Sequence, residues 1–551
     1  MADACPANAL RNAGTEPSME FVMQNRFDRR KFLLGVGSLA LFAGLGSAGR
    51  VWASARFPAY PFLLGVASGD PMPDGFVIWT RLAPEPLEEH AGMPMLAVPV
   101  RWEVAEDGKF AKVVRKGETL ARPELGHSLH VEVEGLRAQR PYWYRFHVEG
   151  QPPSPAGCVR TAPAAGDMPE RVRIGVAGCQ HHEAGLFTAY RHLSQEPDLD
   201  AVFHYGDYIY EGRGKETALS VHDGAGGLID RRHIGGEIYT LDDYRRRYAQ
   251  YKRDPDLQAA HAAAAFLSTW DDHEFDNNWA AALDQDGTPP EVFALRKFAA
   301  MQAWYENMPV RRALFPTPRH GITMHRRLDY GRMLRVHLLD TRQYRSRQRC
   351  EPGMTKACRT ADEAGTEQML GVAQEGWLEQ GLNAQPRWHL LAQQVMMMPY
   401  TYPTSRKSGR LNTDSWSGYP SSRARVLDMI QARKLGNVVV ATGDVHKHHA
   451  GVIPSRDGDL LSAPVATEFV TTSIASGGDG SDVPATWETV LDDNPHNVLV
   501  NDRRGYQMFD IGPRVWRTDV VAIHRVTTPG GSKSVIARLV TENGKPGIAK
   551  A

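Results

Sequence analysis

Val202-Phe203-His204-Tyr205-Gly206-Asp207-Tyr208-Ile209-Tyr210 is a short apolar run that breaks at a glycine and then offers a carboxylate and a phenol. Such a run, without strict alternation, suits a strand buried on both faces. The same pattern recurs four times. Residues 174–177 lead into Gly178-Cys179, and 266–270 into Asp271-Asp272-His273-Glu274. Residues 334–339 lead into Asp340-Thr341-Arg342, and 438–441 into Gly443-Asp444-Val445-His446. Helical segments such as 291–306 and 374–382 fall between these runs, and that alternation predicts an α/β domain. In α/β sheets ligands bind beyond the carboxyl ends of the strands, so the five polar clusters are expected to converge. Taken singly, Asp207 reads as a turn residue, Tyr210 as a core aromatic and Asp272 as a helix cap. Taken together they bring oxygen, nitrogen and sulfur donors for more than one metal ion.

Gly-Asp-x-x-Tyr at 206–210, Asp-Asp-His-Glu at 271–274 and Gly-Asp-Val-His at 443–446 resemble the metallophosphoesterase motifs of the purple acid phosphatases. Asp272 and Asp444 depart from that series, which has Asn and His there. Those departures, with Gly178-Cys179, the stretch 270–279 and Leu339-Asp-Thr-Arg-Gln-Tyr344, resemble instead the PhoD-type alkaline phosphatases and phosphodiesterases. The resemblance implies a four-layer metallophosphoesterase-like α/β sandwich and hydrolysis of phosphate monoesters or diesters by metal-bound hydroxide. It also implies a ferric ion (Fe3+) beside calcium (Ca2+). Tyr210 and Cys179 suit Fe3+, with His446 as its nitrogen ligand, and Asp207 can bridge two ions. Asp272 and Asp444 favour a hard cation.

His273 matches the family's histidine and is expected to face the departing oxygen, or else to be buried against Glu274. Arg342 either clamps phosphate oxygens bidentately or pairs with Asp340. Asn277 is expected to line the site, and Glu274 is a further candidate. His448 and His449 are either site residues or members of a basic surface loop. Gln393 and Gln394 fall where the purple phosphatases carry a histidine, so an amide oxygen or nothing replaces that ligand.

Residues 58–162 read as short strands and turns without helical period, and the run Leu136, Pro141, Tyr142, Tyr144, Arg145 resembles a tyrosine-corner strand. An N-terminal all-β fibronectin- or immunoglobulin-like sandwich over 56–162 is therefore expected. Pro152-Pro153-Ser154-Pro155 and residues 162–170 mark its end, ahead of a catalytic domain over 163–551 that includes a C-terminal extension.

The apolar stretch 32–48 follows Arg29-Arg30-Lys31 and precedes Ala53-Ser54-Ala55, which is the anatomy of a signal peptide over 1–55 with an extended n-region. The arginine pair resembles the twin-arginine export signal, implying the twin-arginine translocation machinery as partner and a periplasmic or extracellular mature protein with no transmembrane segment. In that compartment Cys350 and Cys358 are expected to bridge. Lys plus Arg equals Asp plus Glu, 64 of each, so no global field favours nucleic acid or anionic lipid. Rival readings are a phospholipase D-like phosphodiesterase acting on phospholipids, an exported iron redox protein and a binding protein. The redox reading is weakened by the lack of a four-cysteine cluster set or a haem Cys-x-x-Cys-His.

Overall fold

In the strand Ala201–His204 every residue is buried, and alternation sends Ala201 and Phe203 to one face and Val202 to the other. Ala201 and Phe203 join a core that also holds Val336, Leu390 and Val439 from a second sheet. Val202 joins a core with Tyr190, Tyr244, Tyr248 and Trp304 from helices. Val438–Thr442 does the same from the other side: Val439 and Ala441 face the first sheet, while Val438 and Val440 pack with Leu378, Val426 and Ile430. Both sheets are thus covered on both faces, giving helix, sheet, sheet and helix layers.

The computed structural model describes residues 57–223, 227–317, 321–349, 365–401, 412–483 and 490–550; residues 1–55, where an export signal is expected, and Cys350 and Cys358 lie outside them. The first sheet has ten strands. Its centre is Val172–Ala177, Ala201–His204 and Ala265–Ser268, all parallel. Four antiparallel strands, from Gly505–Ile511 to Lys545–Lys550, extend one side. The second sheet runs Arg326–Tyr330, Leu334–Leu338, Trp388–Ala392, Val438–Thr442, Asp459–Val470, His448–Arg456 and Asn497–Asn501. Its four strands from Leu334–Leu338 to Asp459–Val470 are parallel.

The N-terminal region is all β, as its alternation predicts. Val113–Ala121, Val98–Ala105, Pro141–His147 and Gly157–Arg160 form one sheet. It faces Val66–Met72, Gly75–Arg81 and Ser128–Val133 across a core of Val66, Phe76, Ile78, Tyr142, Tyr144 and Phe146. Tyr142 is the corner tyrosine, its hydroxyl accepting the Arg137 amide at 3.0 Å. This second face is continuous with the first large sheet, because Val66–Met72 pairs in parallel with Ala265–Ser268. Long-range parallel pairing leaves no local sequence signal. Among the described residues no helix is long and apolar enough to cross a membrane.

Candidate metal centre

Each parallel strand at the middle of the two sheets delivers a polar group within a few residues of its carboxyl end. Cys179 follows Val172–Ala177, Asp207 and Tyr210 follow Ala201–His204, and Asp271, Asp272 and His273 follow Ala265–Ser268. Arg342 follows Leu334–Leu338, and Asp444 and His446 follow Val438–Thr442. The turns are tight enough to hold non-glycine residues in the left-handed region: Cys179 at φ 50, Asp207 at φ 53, Asp444 at φ 68 and His446 at φ 56. Each such residue costs about 1 kcal/mol or more and is held by its surroundings. The Cys179 carbonyl accepts Ser476 Oγ at 2.7 Å, and its amide donates to Gly206 O at 3.0 Å. Glycine precedes three of the four for a steric reason: a Cβ on Gly206 would lie 2.3 Å from the Asp271 amide nitrogen, and the other two face one ring. A Cβ on Gly178 would lie 2.4 Å from the Tyr205 ring, and one on Gly443 would lie 2.1 Å from the same ring.

Three groups of donor atoms result, each with its atoms within 4.8 Å of one another: Cys179, Asp207 and His446; Asp207, Asp272 and His273; and Asp271, Asp272 and Asp444. Tyr210 joins the first. Its hydroxyl donates to Asp207 Oδ2 at 2.8 Å and lies 3.2 Å from His446 Nε2 and 2.8 Å from Ser476 Oγ. Cys179 Sγ donates to the same Asp207 oxygen at 3.3 Å. Burial, reinforced by Asp207, pushes the Cys179 thiol and the Tyr210 phenol well above their ordinary ranges. Burial also raises Asp207 and Asp444, carries Asp271 to about 7 and depresses His446 to about 3.

Burial opposes the charge of Asp272 too, but Arg342 and His273 hold that carboxyl below the usual range. His273 is itself held well above the ordinary imidazole range, against burial, by Glu211, Asp207 and Asp272. Its Nδ1 lies 2.7 Å from Glu211 Oε2, and its ring lies over Tyr210 with centroids 4.1 Å apart.

The donor set fits two cations of different character. A buried thiol and phenol aimed at one carboxylate oxygen lose their protons readily only to a strong Lewis acid. Asp271 Oδ2 and Asp272 Oδ1 are buried without a hydrogen-bond partner, a costly arrangement that a hard cation would relieve.

Cys179, Asp207, Tyr210, Asp272, His273, Asp444 and His446, all singled out in the sequence, are brought together. Other candidates stand elsewhere. Glu274 braces loops: its carboxylate accepts the amides of Asp207 at 3.0 Å, Tyr208 at 2.6 Å and Asp271 at 2.8 Å. The sequence alternative that buries His273 against Glu274 is replaced by the Glu211 pairing, since these three amides occupy Glu274. Asn277 turns its side chain to Gln285 Oε1 at 2.6 Å. His448 and His449 lie in a strand and are buried, not on a surface loop, and neither belongs to a donor group. Gln394 Oε1 accepts the Thr341 amide and hydroxyl, and Gln393 bonds around Val395.

Arg342 meets Asp340 only through its backbone amide, at 3.0 Å, and its guanidinium lies among Asp271, Asp272, Asp414 and Asp444. Four contributors were given no role of their own in the sequence reading: Asp271, Glu211, Ser476 and Asp414. Asp271 lies inside the motif at 271–274 and Glu211 adjoins the one at 206–210, so both were within reach of a strand-end reading, whereas Ser476 and Asp414 come from loops without a pattern.

The chain matches the model of the PhoD-like phosphatase family over residues 174–520 and the N-terminal domain of PhoD-like phosphatases over residues 47–163. It belongs to the PhoD-like phosphatase family. Alkaline phosphatase D of Bacillus subtilis (strain 168) is 43% identical over 538 residues, covering 96% of this chain and 90% of that protein. A solved structure of PhoD matches with a TM-score of 0.82 at 41% identity, covering 90% of this chain and 93% of that one. As a PhoD-like phosphatase the chain is a phosphoric ester hydrolase with a mixed α/β fold and a β-rich N-terminal domain.

Proposed function

We propose that this PhoD-like phosphatase is an exported, metal-dependent phosphoesterase that hydrolyses phosphate monoesters, diesters or both. The observation that carries the metal reading is the junction of two unlike donor sets through Asp207 and Asp272. Cys179, Asp207, Tyr210 and His446 would hold Fe3+, and Asp271, Asp272 and Asp444 would hold Ca2+. When bound, the ions supply Lewis acidity, which activates water and offsets charge on the phosphoryl oxygens. His273 supplies the proton for the departing oxygen from Nε2, because Glu211 fixes its Nδ1 at 2.7 Å and so sets the ring's orientation. Glu274 keeps the Asp207 and Asp271 loops in register by accepting three backbone-amide hydrogen bonds. Export is supported by Arg29-Arg30 ahead of the apolar stretch and small-residue cleavage pattern.

A panel of p-nitrophenyl phosphate and bis-p-nitrophenyl phosphate, with metal analysis and visible absorption, tests this reading. Activity should fall with EGTA and return with Ca2+ better than with Zn2+. A phenolate charge-transfer band should be lost or strongly shifted in Tyr210→Phe. A colourless, fully active enzyme with stoichiometric zinc would remove the iron assignment. Export of Arg29→Lys/Arg30→Lys at the normal level would remove the twin-arginine route.

A further inference from the structure

Arg342 stands inside the Asp271, Asp272 and Asp444 group, the proposed second cation site, with every edge of its guanidinium engaged. Nε donates to Asp271 Oδ1, Nη1 to Asp414 Oδ2 at 2.8 Å and Nη2 to Asp444 Oδ1 at 3.0 Å. Nη2 also lies 3.4 Å from Asp272 Oδ1, and the side chain is 0% exposed. A phosphate clamp needs two parallel donors open to substrate, and this guanidinium offers none. Asp414 holds Arg342 from the far side and is in turn held by Arg345. Arg345 Nη2 donates to Asp414 Oδ1 at 2.9 Å, and its Nη1 donates to the Asp414 carbonyl at 3.1 Å. Arg345 is also 0% exposed and balances Asp414. Asp271, Asp272 and Asp444, ionised around a cation, then carry three negative charges against the single positive charge of Arg342. The remainder is two.

We propose that Arg342 is a positioning residue acting as the built-in counter-ion of the second cation group, trimming its charge to minus two so that it prefers a divalent to a trivalent ion. Asp414 and Arg345 lock it in place. This rests on the metal reading above and departs from a phosphate-clamping role. Ligand charge count tunes the affinity of carboxylate sites. A unit charge a few ångströms away in a poorly solvated site is worth more than the factor of ten that about 1.4 kcal/mol represents.

The test compares Tb3+ with Ca2+ on the full chain stripped by chelation, by titration calorimetry and by terbium luminescence. Signal is assigned to this group by its loss in Asp444→Ala. Relative to the unaltered protein, Arg342→Met should raise the ratio of Tb3+ to Ca2+ affinity at least about tenfold. Arg342→Lys, which keeps the charge, should move it far less. Asp271→Asn removes one negative charge and should lower the ratio, and Arg342→Met/Asp271→Asn should return it close to the starting value. If Arg342→Met does not fold, Asp271→Asn and the double variant decide. A ratio unchanged in Asp271→Asn, or a double variant no closer to the unaltered protein than either single change, overturns the proposal. Ca2+ binding with a charge-insensitive ratio removes this inference alone; no Asp444-dependent binding of either ion removes the metal reading with it.

Discussion

Gly443→Ala is a one-carbon change whose effect follows from the grip on Tyr205. The new Cβ would meet three ring carbons at 2.1, 2.3 and 2.4 Å, whereas ordinary carbon contacts begin near about 3.5 Å. The ring cannot swing away, because Gly178 already leaves no space on its own approach and the hydroxyl donates to Thr472 O at 2.8 Å. Overpacking a well-filled core costs about 1–3 kcal/mol, and with a neighbour this confined the upper end, about 3 kcal/mol, is expected. The displaced backbone carries Asp444 and His446, so metal content and activity should fall with stability. Urea denaturation of the full chain in a double-mutant cycle with Tyr205→Leu measures the effect. Gly443→Ala should cost little once the ring is gone, leaving a coupling of at least about 1.5 kcal/mol. A cost below about 1 kcal/mol in the unaltered background, or the same cost in both backgrounds, would refute the steric reasoning.

Three further outcomes are expected. Glu274→Ala leaves three buried amides without an acceptor, at about 1–3 kcal/mol each before relaxation, and calorimetry should show a loss of about 3 kcal/mol or more even in the metal-stripped protein; unchanged stability with lost metal would make Glu274 a ligand. Glu211→Gln should lower kcat roughly ten- to a hundredfold with little change in KM, because it releases His273; a change confined to KM would argue for substrate binding by Glu211. His130 is buried with Nε2 at 2.9 Å from the carbonyls of both Tyr305 and Met308, and burial depresses it to about 4. The unfolded chain therefore takes up that proton first as pH falls, and stability is lost from about 6.5 down to about 4. The cost of His130→Leu should accordingly shrink by up to about 3 kcal/mol over that interval, and a pH-independent cost would show that His130 is not neutral in the fold.

Much of the centre was legible because parallel strands end their apolar runs abruptly. Residues 202–205 announce their strand by composition alone, and the Gly-Asp that follows announces its end. The same holds at 438–444. What stayed illegible arises where distant segments meet. Arg342 stayed open between a phosphate clamp and a pair with Asp340, because an arginine at a strand end reads the same whether its partners are phosphate or carboxylate. Asp414, the residue that helps decide between them, comes from a loop with no periodicity. Glu274 sits in a ligand-rich tetrad, yet its role depends on the amides of Asp207 and Tyr208 from a neighbouring loop as well as that of Asp271 in its own. His448 and His449 follow His446 and Lys447 in a polar cluster, and only the pairing of their strand with Asn497–Asn501 and Asp459–Val470 turns them inward.

The wiring of the first sheet bears on the order in which the molecule is assembled. Ser68 finds its parallel partner at Ala265, and Val176 finds its antiparallel partner at Gln507. A chain emerging amino end first therefore carries unpaired strand edges until its last fifth has been made, and such edges invite association with other chains. Threading it unfolded through a pore would recreate those edges on the far side, while delivery as a finished body would not. Cutting after residue 162 would leave Val66–Met72 with Gly75–Arg81 as its one strand partner and open the edge that Ala265–Ser268 covers.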